Sequence, residues 1–170
     1  MKIRCRTLLL LALLSGKVCS ADSVNIGVTG IIVASPCIFN GGNNNLDVNL
    51  GNIQATNMAT PGSTSDPVPF SLLFTQCPTG TQSVTVAFTG SPDPEAGADY
   101  FMNSGSATHV AIAMRDAQTG ALKGTGSSMT QTIAADRTAT LAMLASVKSM
   151  TGGATHGSIR AVVVMTMQYN

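Results

Sequence analysis

Charge is scarce in this 170-residue chain, where nine basic and eight acidic residues together make up 10% of the positions. Four of the basic residues (Lys2, Arg4, Arg6 and Lys17) crowd the first 17 positions. Beyond them, five scattered basic residues face eight acidic ones, a net charge of about −3. No basic patch exists to follow a phosphate backbone, which argues against nucleic acid as a partner. Long apolar runs are missing too: no segment approaches the roughly 20 residues a membrane span needs. Only two histidines are present, His109 and His156, with no carboxylate or cysteine at ligand spacing, so no metal site is expected. No Gly-x-Ser-x-Gly occurs, and Gly124-Thr125-Gly126 lacks the rest of a phosphate-binding fingerprint. The acids Asp93, Glu95 and Asp99 share one loop, whereas a glycosidase pair is expected on separated core strands. No catalytic constellation, and no cofactor, is expected.

What is present begins with a leader. A positive head, the apolar run Leu8–Leu14 and the small residues Ser20 and Ala21 form a secretory signal peptide over residues 1–21, cleaved after Ser20 or Ala21. Bulky Val18 directly before Cys19 argues against a lipoprotein signal. Export removes Cys5 and Cys19 and leaves Cys37 and Cys77, which most simply form one disulfide. About 150 residues remain, one domain with room for a proper core.

The chain then reads as strands. Val24, Ile26, Val28, Gly30 and Ile32 share one parity, with Asn25, Gly27 and Thr29 between them, the period of a strand with one apolar face. Residues 22–35 form an extension lying outside the part tied together by cysteines. Leu46, Val48 and Leu50 alternate over a short strand, and Asn52–Pro67 is a loop. Strands are expected at Val68–Cys77, Ser83–Thr89, Tyr100–Met102 and His109–Arg115, with a turn, short strand and turn around Leu122. Thr138–Met150 also fits a helical period, but its threonine-rich entry and the regular strand spacing favour a strand. In the final stretch, Ser158–Tyr169, Ala161, Val163, Met165, Met167 and Tyr169 share one parity while Val162 and Val164 make the other partly apolar. Such a strand wants burial on both faces, yet nothing follows to pair with it. The sum is a β-sandwich of immunoglobulin-like character. It has a spare strand at the start and an unpaired apolar strand at the end, complementary defects that strand addition between molecules would resolve.

These features resemble the chaperone–usher fimbrial pilins, and among them the minor linker subunits of type 1 fimbriae. The signal peptide, the alternating extension with Gly30, Pro36-Cys37 and Cys77-Pro78 all match. So do the block from Gly152 to Gly157 and the strand to Tyr169; Gly157 is fourteenth from the end and Tyr169 penultimate. The resemblance covers the whole mature chain. It implies an incomplete immunoglobulin-like sandwich over residues 36–170 that lacks its last strand. It also implies a periplasmic chaperone that lends a strand beside Ser158–Tyr169, and an outer-membrane usher that exchanges it for the next subunit's extension.

On that resemblance, Val24, Ile26, Val28, Gly30 and Ile32 are donor residues, with Gly30 where a side chain would block the initiating pocket. Gly157, Ala161, Val163, Met165, Met167 and Tyr169 form the acceptor strand, and the carboxylate of Asn170 is gripped by basic residues of the chaperone. The mature chain is then exported to the periplasm and ends in a cell-surface fimbrium of a Gram-negative bacterium. A minor adaptor is favoured over a major shaft subunit. A carbohydrate-binding adhesin is disfavoured, because the extension is present and there is no room for a lectin domain.

Overall fold

A computed structural model describes residues 23–32 and 36–170. The expected signal peptide, and the break expected at Ala34-Ser35, lie outside the described residues. The chain divides into two units, one ending at Ile32 and one from Val33 to Asn170.

Within the first unit, residues 23–32 carry no regular secondary structure, and Val24, Ile26, Val28, Ile31 and Ile32 are all more than four-fifths exposed. The alternation expected of a strand is there in the sequence without a ladder to express it.

Among its described residues the second unit has nine strands: β1 (Ile38–Phe39), β2 (Val68–Thr75), β3 (Ser83–Gly90), β4 (Pro92–Asp93), β5 (Gly97–Met102), β6 (Ala111–Asp116), β7 (Ser128–Thr132), β8 (Ala139–Lys148) and β9 (Val163–Tyr169). They form a six-stranded sheet in the order β1-β2-β8-β6-β5-β4 and a three-stranded sheet in the order β7-β3-β9. Every pairing is antiparallel, with Val68 opposite Ala145 between β2 and β8 and Val86 opposite Met167 between β3 and β9.

Period-two burial turns one face of each sheet inward. On β3 the buried residues are Val84, Val86 and Phe88, while Thr85, Ala87 and Thr89 face outward. From the other sheet Leu72, Phe74, Leu141 and Met143 meet them, all at most 1% exposed. Burying each of these side chains stabilises the fold by about 1.5–3 kcal/mol. Cys37 and Cys77 are both buried in this cluster and bonded to each other, as expected. Closing that 40-residue separation contributes up to about 4 kcal/mol on a chain-entropy account. The Arg137 Nε–H donates to the Cys77 carbonyl, and the Cys77 N–H donates to the Arg137 carbonyl, which ties the disulfide to the turn before β8.

Three expectations need correction. Leu46–Leu50 is not a paired strand, although Leu46, Val48 and Leu50 are half-buried and the residues between them exposed. The final strand is shorter than Ser158–Tyr169, and it buries one face rather than two: Val162 and Val164 are 65% and 60% exposed. The loop expected at Asn52–Pro67 contains a 3-10 turn, Ala55–Met58, whose Met58 anchors a second small core with Ala107, Val110 and Val147. The strand reading of Thr138–Met150 holds as β8, which lies between β2 and β6 at the centre of its sheet.

Candidate strand-accepting edge

β9 is an edge strand. β3 occupies one side of it, and among the described residues no strand pairs with the other. An edge of this kind presents a row of backbone donors and acceptors with no ladder partner. Val163, Met165, Met167 and Tyr169 are half-buried and pack on the main core without being covered, as does Ala161 just before the strand.

The unpaired stretch around Leu46–Leu50 has the matching defect. Leu46 packs on the main core, and Leu50 and Ile53 pack on the second core, where Ile159 also sits. Ile159 packs against both clusters, so these two unpaired backbones share one apolar floor. Next to the approach to β9 this floor opens into a cavity of about 360 Å³, lined by Ile53, Met58, Ala107, Val110, Gly157 and Ile159 among others.

The approach to β9 is held rigidly by the loop 103–107. The Ser104 N–H donates to the Arg160 carbonyl at 2.8 Å and the Ala107 N–H to the Ser158 carbonyl at 3.1 Å. In return the Arg160 N–H donates to Asn103 Oδ1 at 2.8 Å. The two backbones run so close that a Cβ on Gly157 would collide with the main chain of Ser106 and Ala107, and one on Gly105 with that of Ser158.

The far end of β9 is fastened differently. The Gln82 and Ser83 N–H groups donate to the main-chain oxygen of Asn170, and the Asn170 N–H donates to the Ser83 carbonyl at 3.0 Å. The Tyr169 hydroxyl donates to Met167 Sδ at 3.5 Å, and burial raises the phenol above its ordinary pKa.

The residues expected to form an acceptor strand therefore come together on one edge, with Gly157 at its cavity end and Tyr169 at the other. The residues expected to act as donors lie in the other unit. Sequence reasoning missed Ile53 and Met58 as cavity walls, because a loop with no periodicity gives no sign of which side chains turn inward. His109, read as isolated, lies 3.4 Å from Glu95 through Nδ1, and Thr151 donates to Glu95 at 3.2 Å. His109 and Glu95 are both half-exposed, and no group of three or more potential metal ligands occurs among the described residues. No helix among them is long and apolar enough to cross a membrane.

Comparison with known proteins agrees with this architecture. The chain is 32% identical to Protein FimG of Escherichia coli over 95% of this chain and 93% of that one. It is 30% identical to the fimbrial-like protein FimF of Salmonella typhimurium over 89% of this chain and 87% of the other. Among solved structures, the P pilus rod subunit PapA matches with a TM-score of 0.66 at 23% identity, covering 80% of this chain and all of PapA. The P pilus adaptor subunit PapF matches with a TM-score of 0.57 at 22% identity, over 81% of this chain and 98% of PapF. The fold is thus the pilin form of the immunoglobulin-like sandwich, short of its last strand. A family model described as fimbrial protein matches residues 26–170, and the chain belongs to that family.

Proposed function

We propose that this protein is a structural subunit of a chaperone–usher fimbria, joined to its neighbours by donor-strand exchange and serving as a minor adaptor that supports cell adhesion. The observation that carries the reading is the uncovered row Val163, Met165, Met167 and Tyr169 along the free edge of β9. A strand laid there would gain a hydrogen-bond ladder on its backbone and an apolar floor under alternate side chains. Val24, Ile26, Val28 and Ile32 offer the right period, and their exposure makes them available to another molecule. Four aliphatic side chains at about 1.5–3 kcal/mol each, plus the ladder, make a durable joint with no chemical energy input.

In this reading residues 1–21 direct export and residues 22–35 are the donor extension. A periplasmic chaperone first covers the β9 edge, and an outer-membrane usher is where the next subunit's extension replaces it. The adaptor assignment is supported by the likeness to the P pilus adaptor subunit PapF, and the alternative of a major shaft subunit by the likeness to the rod subunit PapA. Co-purification from the periplasm tests it. An affinity-tagged chain is expected to emerge in a one-to-one complex with a chaperone. A stable, chaperone-free monomer as the sole product would count against the reading.

A further inference from the structure

Methionines occupy three kinds of site in this fold. Met58 and Met143 are sealed in the two cores at 1% and 0% exposure, whereas Met102 and Met150 stand 40% exposed on the surface. Met165 and Met167 belong to neither kind. They face the core from β9, half-buried, and among the described residues no strand covers the edge they lie on. A thioether differs from the other side chains of that row in one respect. A single added oxygen turns it from an apolar group into a polar, hydrogen-bond-accepting one.

The two sulfurs are not equivalent. Met167 lies opposite Val86 and accepts a hydrogen bond from the Tyr169 hydroxyl at 3.5 Å. That bond draws on a lone pair an oxidant needs, and the same hydroxyl is placed to serve an oxygen added there. Met165 lies opposite the fully buried Phe88, with Val163 and Met167 beside it on the same face, and none of the three side chains carries a donor. While the edge is bare, water solvates an oxygen on Met165. A strand laid over it removes that water, brings apolar side chains and engages the N–H groups of the edge in its ladder. The oxygen is then buried without a partner, so its cost falls on strand addition and not on the fold of the bare chain.

We propose that Met165 is an oxidation site, open to two-electron oxidants while the β9 edge is bare, and that its sulfoxide bars a chaperone's apolar strand from that edge. With hydrogen peroxide, a lone pair of Sδ attacks one peroxide oxygen and the O–O bond breaks. The sulfur gives up two electrons, and the other oxygen leaves as water, taking the proton of the transferred one. Reduction of the sulfoxide restores the thioether. The inference rests on the donor-strand reading above and adds a chemical condition on the same edge: an oxidised subunit is withheld from capture.

Graded hydrogen peroxide tests this on the chaperone complex and on the mature chain refolded without its chaperone. Oxygen uptake at each methionine is followed by peptide mass spectrometry. In the free chain Met165 is expected to oxidise alongside Met102 and Met150, ahead of Met167 and far ahead of Met58 and Met143. In the complex Met165 and Met167 slow while Met102 and Met150 do not. The oxidised free chain, offered to fresh chaperone, is expected to be captured about tenfold less well, the effect of one buried unpaired polar group, with its urea midpoint unchanged. Met165→Leu, treated in the same way, should lose none of its own untreated capture, whereas Met102→Leu/Met150→Leu should lose as much as the natural chain. Met165 reacting as slowly as Met58 in the free chain overturns the inference and leaves the donor-strand reading standing. So does undiminished capture of the chain oxidised at Met165, or an equal loss in Met165→Leu. Equal Met165 rates in the free chain and the complex would place the chaperone elsewhere, overturning the donor-strand reading and this inference with it.

Discussion

Tyr169, the last residue of β9, stands edge-on to Phe74 of β2, with ring centroids 6.4 Å apart and planes at 76°. Phe74 in turn packs against Phe39 of β1 at 5.3 Å, so three rings tie the free edge of one sheet to the edge of the other. An edge-to-face pair contributes about 0.5–1.5 kcal/mol beyond the area it buries. Tyr169→Ser is therefore expected to loosen β9 and lower the steady-state level of the chain in the periplasm, whereas Tyr169→Phe keeps the ring and the level. Immunoblots of periplasmic extracts check this; equal levels for all three proteins would remove the anchoring role.

The same residue gives an alkaline limb to the stability curve. Burial raises the Tyr169 phenol above its ordinary value, so the unfolded chain releases that proton first. The contribution is complete below the unfolded pKa of about 10 and is lost as pH rises through the folded value. The drop in urea midpoint between about pH 8 and about pH 11 should be smaller for Tyr169→Phe than for the natural chain. Identical alkaline losses in the two proteins would show that Tyr169 ionises freely.

How legible these features were depended on which physical signal each one carried. The alternation at Val163–Tyr169 marked β9 because one face is apolar, and the extra valines Val162 and Val164 misled because exposed aliphatics read as buried ones. The shifted phases within Thr138–Met150 blurred strand and helix because β8 is central: Ala145, Ser146 and Val147 are buried in succession, so neither parity is free of burial. β7, Ser-Met-Thr-Gln-Thr, left almost no trace, since only Met129 of its residues packs against the core. Leu46–Leu50 shows the converse. Its alternation truly reflects half-burial, but a ladder needs a second strand, and none of the described residues supplies one.

The close crossing of the loop 103–107 over the approach to β9 predicts a steep steric cost. A methyl at Gly157 meets backbone atoms on Ser106 and Ala107, which cannot swing aside as a side-chain tip would. Gly157→Ala and Gly105→Ala should each destabilise the fold by roughly 1–3 kcal/mol, read as a lowered urea midpoint. Gly27→Ala, where nothing lies within 4 Å of the added carbon, is the control and should leave the midpoint unchanged. A Gly157→Ala midpoint equal to the control's would mean that the loop yields easily.

Gly30 offers the sharpest separation between folding and assembly. It lies in the extension, and an added Cβ meets nothing within 4 Å, so even Gly30→Arg leaves the fold of residues 36–170 untouched. In a joined pair the same residue would face the apolar floor beside β9, where a guanidinium loses its hydration and finds no partner. Burying an unpaired charge in that way costs several kcal/mol, more than one or two aliphatic contacts return. The mutant should therefore be captured by its chaperone at the natural level and accept a neighbour's extension normally, while failing to enter the next subunit's groove. Two measurements on one preparation decide it: chaperone co-purification and incorporation into surface fibres. Intact chaperone binding with fibre incorporation lost is the expected pair of results, and normal incorporation would remove residues 24–32 from the joint.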